Sequence, residues 1–371
     1  MPYKVVSHEE LTKLDLPDVP VSRDYGASAR IYEYESAADP KLPPVPVLVH
    51  PAAAHESGSS RVIPFDLSKQ LGEQCVRASP NLFAGFVRID VGDSVETEAA
   101  ATSQAFYVIR GDGFSVFGNN EKIEWHSGDL FVLPKNDGPI THECVCDSSK
   151  FESAALYWVH DGPLLNYLGV APNQKRFEPT YFSNERLQER VEEIRHESSS
   201  ASKNRLGVLL GNAATEASTL TLTHVLWSLL NSIAPGTTQR PHRHNSVALD
   251  LAVKADPGVY TLMGKDLDAT TGEIIDPIRC DWVPGSAFVT PPGWWHSHHN
   301  ESGTIAWVLP MQDAGLYTFQ RTLDIRFVDD ELKNHQNNRI RGTAFKVSNK
   351  EYDAIKAGAK ASFSGKQCSI M

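Results

Sequence analysis

The sequence predicts an all-β protein built from two barrels in tandem, on three observations. Short runs rich in Val, Ile, Leu, Phe and Tyr recur at regular intervals, bounded by Gly, Asp and Asn, which is the pattern of a sandwich or barrel. The stretch Leu82 to Gly92 followed by Gly128-Asp129-Leu130-Phe131-Val132-Leu133-Pro134 is mirrored by Leu226 to Gly236 followed by Gly285-Ser286-Ala287-Phe288-Val289-Thr290-Pro291. A repeat of that length implies two copies of one domain rather than a solenoid. Finally, 371 residues suffice for two domains of ordinary size, each able to bury its own core.

Taken in order, residues 1–80 read as an arm laid over the domains. A helix is expected at its start, over Ser7-His8-Glu9-Glu10-Leu11-Thr12-Lys13-Leu14, where Ser7 and Glu10 make a capping box. Pro40, Pro43, Pro44 and Pro46 then forbid regular helix. Residues 81–170 form the first barrel, with strands expected over Leu82–Ile89, Gln104–Ile109, Gly113–Gly118, Gly128–Pro134 and Ser153–Val159. Residues 171–215 link the barrels through an amphipathic helix, Asn184 to Arg195, whose Leu187, Val191 and Ile194 fall at helical spacing. Residues 216–330 form the second barrel, with strands expected over Ala248–Val253 and Gly258–Gly264, and residues 331–371 a polar tail. The last four residues, Cys368-Ser369-Ile370-Met371, follow the C-a-a-X pattern of prenylation, with Lys356, Lys360 and Lys366 upstream, although Ser369 is not aliphatic.

Composition narrows the function classes. A formal charge of −11 argues against binding nucleic acid or an anionic membrane, both of which need a basic surface. No apolar run approaches a membrane span, and the first ten residues lack the regions of a signal peptide, so the expected compartment is the cytoplasm. Five cysteines, few and odd in number, fit a reducing environment better than a disulfide framework.

The chemistry concentrates between Pro235 and Asn300. His242 and His244 are two apart, so on a strand both point to one face, and His296 follows a Pro291-Pro292-Gly293 turn on a later strand. Three neutral imidazoles on one face form a facial set with open positions. Such a set suits Fe(II) and also admits Mn, Ni, Zn or Cu, because imidazole does not select among them. The first copy carries Glu98-Ala99-Ala100-Ala101 where the second has His242-Arg243-His244, and alanine cannot ligate a metal.

Gly236 with His242-x-His244, and Gly285 through Pro291, Gly293 and His296 to Asn300, match the two motifs of the cupin superfamily. Pro241-His242-Arg243-His244 with Ala248, and Pro291-Pro292 through Trp294-Trp295-His296, His298 and Asn300, resemble the bicupin ring-cleaving dioxygenases of the gentisate and salicylate 1,2-dioxygenase type. The first domain resembles their non-catalytic cupin in Trp125 to Pro134 and Leu156 to Gly169. The resemblance covers roughly residues 60–325, but here the motif-bearing barrel is the second, whereas in many members it is the first.

The resemblance implies a bicupin of two double-stranded β-helix (jelly-roll) barrels, with Fe(II) held by His242, His244 and His296. It further implies a small substrate chelating through adjacent hydroxyl and carboxylate oxygens, O₂ beside it, and a homo-oligomer, commonly a tetramer. His298 shares strand parity with His296 and resembles the family's acid/base histidine, and Asn231 falls where these enzymes often have glutamine. Trp294, Trp295 and Trp307 are candidates to line a flat pocket, and Arg240, Arg243 and Arg279 are candidate anion clamps.

One position departs from the family. Members that cleave carboxylated rings carry arginine where this chain has Asp250, and an inward carboxylate repels a substrate carboxylate. Asp250 reaches the metal only across a bulge, and otherwise serves as partner to Arg243 or Arg279. Two further readings stand beside the dioxygenase: an O₂-independent metal-dependent lyase, isomerase or hydrolase, and a non-enzymatic cupin binding protein.

Overall fold

The computed structural model describes residues 25–38, 40–147, 150–197 and 205–330. The helix expected over Ser7 to Leu14, the tail from residue 331 and the Cys368 motif lie outside the described residues. The described residues up to Leu42 belong to a unit of their own, with a short turn of 3-10 helix, Tyr25–Ser28, and a single α-helical turn, Tyr34–Ala37.

From Pro43 onward the chain is one compact unit of four antiparallel sheets among the described residues. In the first barrel a six-stranded sheet runs Thr180–Phe182, Leu130–Pro134, Ser103–Arg110, Ser153–His160, Phe83–Asp90, Arg61–Pro64. It faces a four-stranded sheet of Ser94–Thr97, Ile140–Cys144, Gly113–Phe117 and Glu121–Trp125. The second barrel repeats the plan: Val49–His50, Ala287–Thr290, Ala248–Lys254, Ala306–Gln312, Trp227–Ile233 and Leu206–Leu210 form its six-stranded sheet. Its second sheet has five strands, Ile278–Asp281, Val259–Gly264, Trp295–Asn300, Thr237–His244 and Ile325–Phe327. The strands named from the sequence are all observed.

The expectation that each domain buries its own core is incomplete. Along Ser153–His160 every residue is buried, and successive side chains enter different cores. Leu156 and Trp158 fill the first barrel, while Tyr157 and Val159 pack outward with Leu230, Leu249, Leu251, Val289, Leu309 and Met311 of the second. The two six-stranded sheets thus stack outer face to outer face, which is why their central strands read as unbroken apolar runs. Tyr157 donates its hydroxyl to the Leu249 carbonyl across this junction at 3.2 Å.

From Pro43 on, the segment expected as an arm is likewise woven in. Val49–His50 adds an edge strand to the second barrel and Arg61–Pro64 one to the first, so the residues between them bridge both sheets. The linking helix, Asn184–His196, begins where the Ser183 hydroxyl accepts from Arg186 N–H at 3.3 Å, and buries Leu187 and Val191. Cys75, Cys144, Cys146 and Cys280 are free thiols. Among the described residues no helix is long and apolar enough to cross a membrane.

Candidate metal centre

The triad is assembled from two neighbouring strands by a break in their ladder. Gln239 pairs with His298, and in an unbroken antiparallel ladder Pro241 would then stand opposite His296. One extra residue enters between them, so that His242 faces His296 instead. Proline suits this bulge because it has no N–H to lose from the ladder. His244, two residues on, ends the same strand beside them.

The ligand atoms of His242, His244 and His296 all lie within 4.8 Å of one another. Their hydrogen bonds decide which nitrogen is free. His296 Nδ1 lies 3.1 Å from the Trp294 carbonyl and His244 Nδ1 2.9 Å from the Ser246 carbonyl. A carbonyl only accepts, so both rings carry their proton on Nδ1 and present a bare Nε2. The Ser246 hydroxyl, 3.1 Å from the same His244 Nδ1, donates to Gln312 Oε1 at 2.8 Å. His242 Nδ1 is buried without a hydrogen-bond partner, an orphaned polar atom of the kind a metal or water satisfies. Burial pushes all three rings toward the neutral form, His244 down to about 4 and the other two well below their ordinary value. Each of these features fits a divalent transition metal.

The turn before His296 is shaped by Gly293, whose φ of +76° strains any side-chain-bearing residue. Its N–H reaches the His244 carbonyl at 2.7 Å, tying the two motifs together. Asn300, at the far end of the strand, binds the Ile233 and Thr304 carbonyls and is structural.

The triad opens into a cavity of about 210 Å³. Trp227, Leu229 and Asn231 alternate along one strand into it, Val308, Pro310 and Gln312 along another, and Ile325 and Phe327 along a third. His298, Asp250 and Arg205 supply the remaining polar lining. His298 is buried, held down to about 3 chiefly by desolvation, with Nδ1 2.9 Å from Thr261 Oγ1. The Asp250 carboxyl accepts from Thr290 Oγ1 at 2.6 Å, and burial pushes it up to about 7. Arg205 lies over the Phe327 ring, 5.0 Å from its centroid, and also reaches the Arg240 carbonyl. Desolvation lowers its guanidinium to about 10, opposed by Asp329, so it stays a cation at neutral pH.

Several residues singled out from the sequence stand elsewhere. Arg240 pairs with Asp329, and Arg279 with Asp281, outside the cavity lining. Arg243 lies over the Trp295 ring at 5.1 Å, and that tryptophan is buried away from the cavity. Trp307 packs against the shared core, on the strand face opposite Val308. Asp250 therefore partners Thr290 rather than either arginine. Asn231 does line the cavity, with its amide exchanging hydrogen bonds with Gln239. Arg205 and Phe327 were not anticipated. Trp227 and Leu229 were detectable by counting back in twos from Asn231, whereas nothing local marks Arg205, which precedes an edge strand at the end of the linker.

No protein-family model and no curated protein matches the chain. Solved structures match it in fold. Salicylate 1,2-dioxygenase from Pseudaminobacter salicylatoxidans superposes with a TM-score of 0.62 at 14% identity, covering 88% of this chain and 99% of that one. The adduct of that organism's salicylate 1,2-dioxygenase with gentisate gives a TM-score of 0.62 at 14% identity, over 87% and 98% of the two chains. At this identity the likeness is one of fold, and the fold is bicupin-like.

Proposed function

We propose that this bicupin is a non-haem Fe(II) dioxygenase that adds O₂ to a small, metal-chelating, aromatic substrate. The observation that carries the reading is the pair of rings, His244 and His296, each locked by a carbonyl with Nε2 bare and converging with His242 at one end of a cavity. Similarity of fold to salicylate dioxygenases, one with gentisate bound, supports the choice of chemistry.

His242, His244 and His296 would hold the iron, which when bound would supply Lewis-acid and O₂-activating chemistry at this end of the cavity. Because all three ligands are neutral, the full divalent charge remains to attract an anionic chelate. The Arg205 guanidinium adds a second cationic partner for that anion. Phe327, Trp227 and Leu229 offer flat and apolar surface to a ring. His298 is positioned to hydrogen-bond an oxygen of the bound molecule beside the triad. Asp250 disfavours a second carboxylate on the substrate and welcomes a hydroxyl or amino donor.

A second reading has its own support. A cavity carboxyl titrating at about 7 is suited to general acid–base work, which favours an O₂-independent lyase or hydrolase. Anaerobic loading with Fe(II), followed by O₂ uptake with gentisate, salicylate and related hydroxy acids, separates the two. Uptake that requires both iron and substrate is expected. Turnover without O₂, or with Zn(II) alone, would overturn the dioxygenase in favour of the second reading.

A further inference from the structure

Among the described residues one hydrogen-bond chain occurs twice, once in each barrel. In the second, Trp282 Nε1–H donates to Thr261 Oγ1 at 2.8 Å, and that oxygen lies 2.9 Å from His298 Nδ1. In the first, Trp125 Nε1–H donates to Ser115 Oγ at 2.9 Å, which lies 2.7 Å from His142 Nδ1. The tryptophans correspond in the repeat, each standing three residues before its glycine, Gly285 and Gly128.

The protons in this chain can be assigned. Thr261 and Ser115 are wholly buried, so neither hydroxyl can turn to solvent. An indole N–H only donates, and each hydroxyl oxygen therefore receives one hydrogen and has one of its own to place. Among the described residues the acceptor within reach of each hydroxyl proton is the histidine Nδ1. A buried hydroxyl proton left without an acceptor is disfavoured. Nδ1 is consequently bare, and the ring proton sits on Nε2.

We propose that Thr261 and Trp282 are positioning residues that hold His298 as its Nε2–H tautomer, so that the ring offers the cavity a hydrogen-bond donor and not a base. Three of the four imidazoles are thereby sorted. His244 and His296 carry their protons on Nδ1 and turn a lone pair inward, whereas His298, at a ring distance of 5.8 Å from His296, cannot become a further ligand through Nε2. The first barrel shows the same relay closed on itself, since His142 Nε2 has Thr97 Oγ1 at 2.9 Å and offers nothing to a ligand. That His298 donates to an oxygen of the chelated substrate rests on the function proposed above; the tautomer itself does not.

The test is the protonation pattern of the ring, read by long-range ¹H–¹⁵N correlation on the full-length, ¹⁵N-histidine-labelled chain with Zn(II) as a diamagnetic occupant. The His298 signals are assigned by their loss in His298→Asn. The expected pattern is a bare Nδ1 and protonated Nε2 in the wild type and in Thr261→Ser, with the Nδ1–H form appearing in Thr261→Val, which keeps the shape and removes the hydroxyl. A wild-type ring protonated on Nδ1 overturns the proposal, and so does a Thr261→Val spectrum identical to the wild type. The wild-type pattern decides alone if the valine variant does not fold. Oxygen uptake is measured separately, so an Nε2–H ring in a protein that consumes no O₂ refutes the dioxygenase reading and leaves this one standing.

Discussion

Replacing Asp250 by asparagine tests the electrostatics of the cavity. The carboxyl is 4% exposed and accepts from Thr290 Oγ1 at 2.6 Å, a bond that asparagine keeps through its carbonyl oxygen. What asparagine removes is ionisation. Burial raises this carboxyl from 3.8 to about 7, so between those values the folded chain binds more protons than the unfolded one. Stability contributed by the protonated form is full below about pH 4 and is lost as pH rises toward 7. The whole shift corresponds to roughly 4 kcal/mol, of which roughly 3 falls between pH 5 and pH 8. The melting temperature of Asp250→Asn minus that of the wild type, in chelator-treated protein, should therefore grow by a few degrees from pH 5 to pH 8, at about 1.5 °C per kcal/mol for a cooperative unit of this size. Adding the metal should shrink the difference, because a nearby cation favours the carboxylate. A difference that is independent of pH, or that grows toward acid, would refute the burial argument.

Other substitutions probe separate parts of the account. His296→Ala should abolish stoichiometric metal binding by elemental analysis while retaining the β-sheet circular dichroism of the parent. Arg205→Gln removes a charge-assisted contact of about 1.5–3 kcal/mol, so KM for an anionic substrate should rise roughly ten- to a hundredfold, with little change for a neutral analogue. Tyr157→Phe deletes the hydrogen bond to the Leu249 carbonyl and should cost about 1 kcal/mol, seen as a lowered melting temperature for the whole chain because both barrels share that core.

The residues bearing local signals were the ones legible in the sequence. Two-residue alternation and turn glycines gave the strands, and the spacing of His242, His244 and His296 within the repeat gave the triad, because residues that could share a metal must sit at fixed places on adjacent strands. Parity alone does not give the bulge before His242, since an extra residue in a ladder has no local signature beyond Pro241. Trp295, Trp307 and Arg240 show the limit of reading residue type without orientation. Tryptophan fills cores as readily as pockets, and an arginine beside Asp329 is already committed. Arg205 enters the cavity through a strand added at the edge of the sheet, and the sheet topology, not the neighbouring sequence, decides that.

Quantifying iron bound per chain under anaerobic conditions tests the central claim most directly, with wild type, His242→Ala and His296→Ala compared side by side. The account predicts one Fe(II) per wild-type chain and none in either variant, with the first barrel contributing nothing. Iron retained in both variants, or absent from a folded wild type, would contradict it.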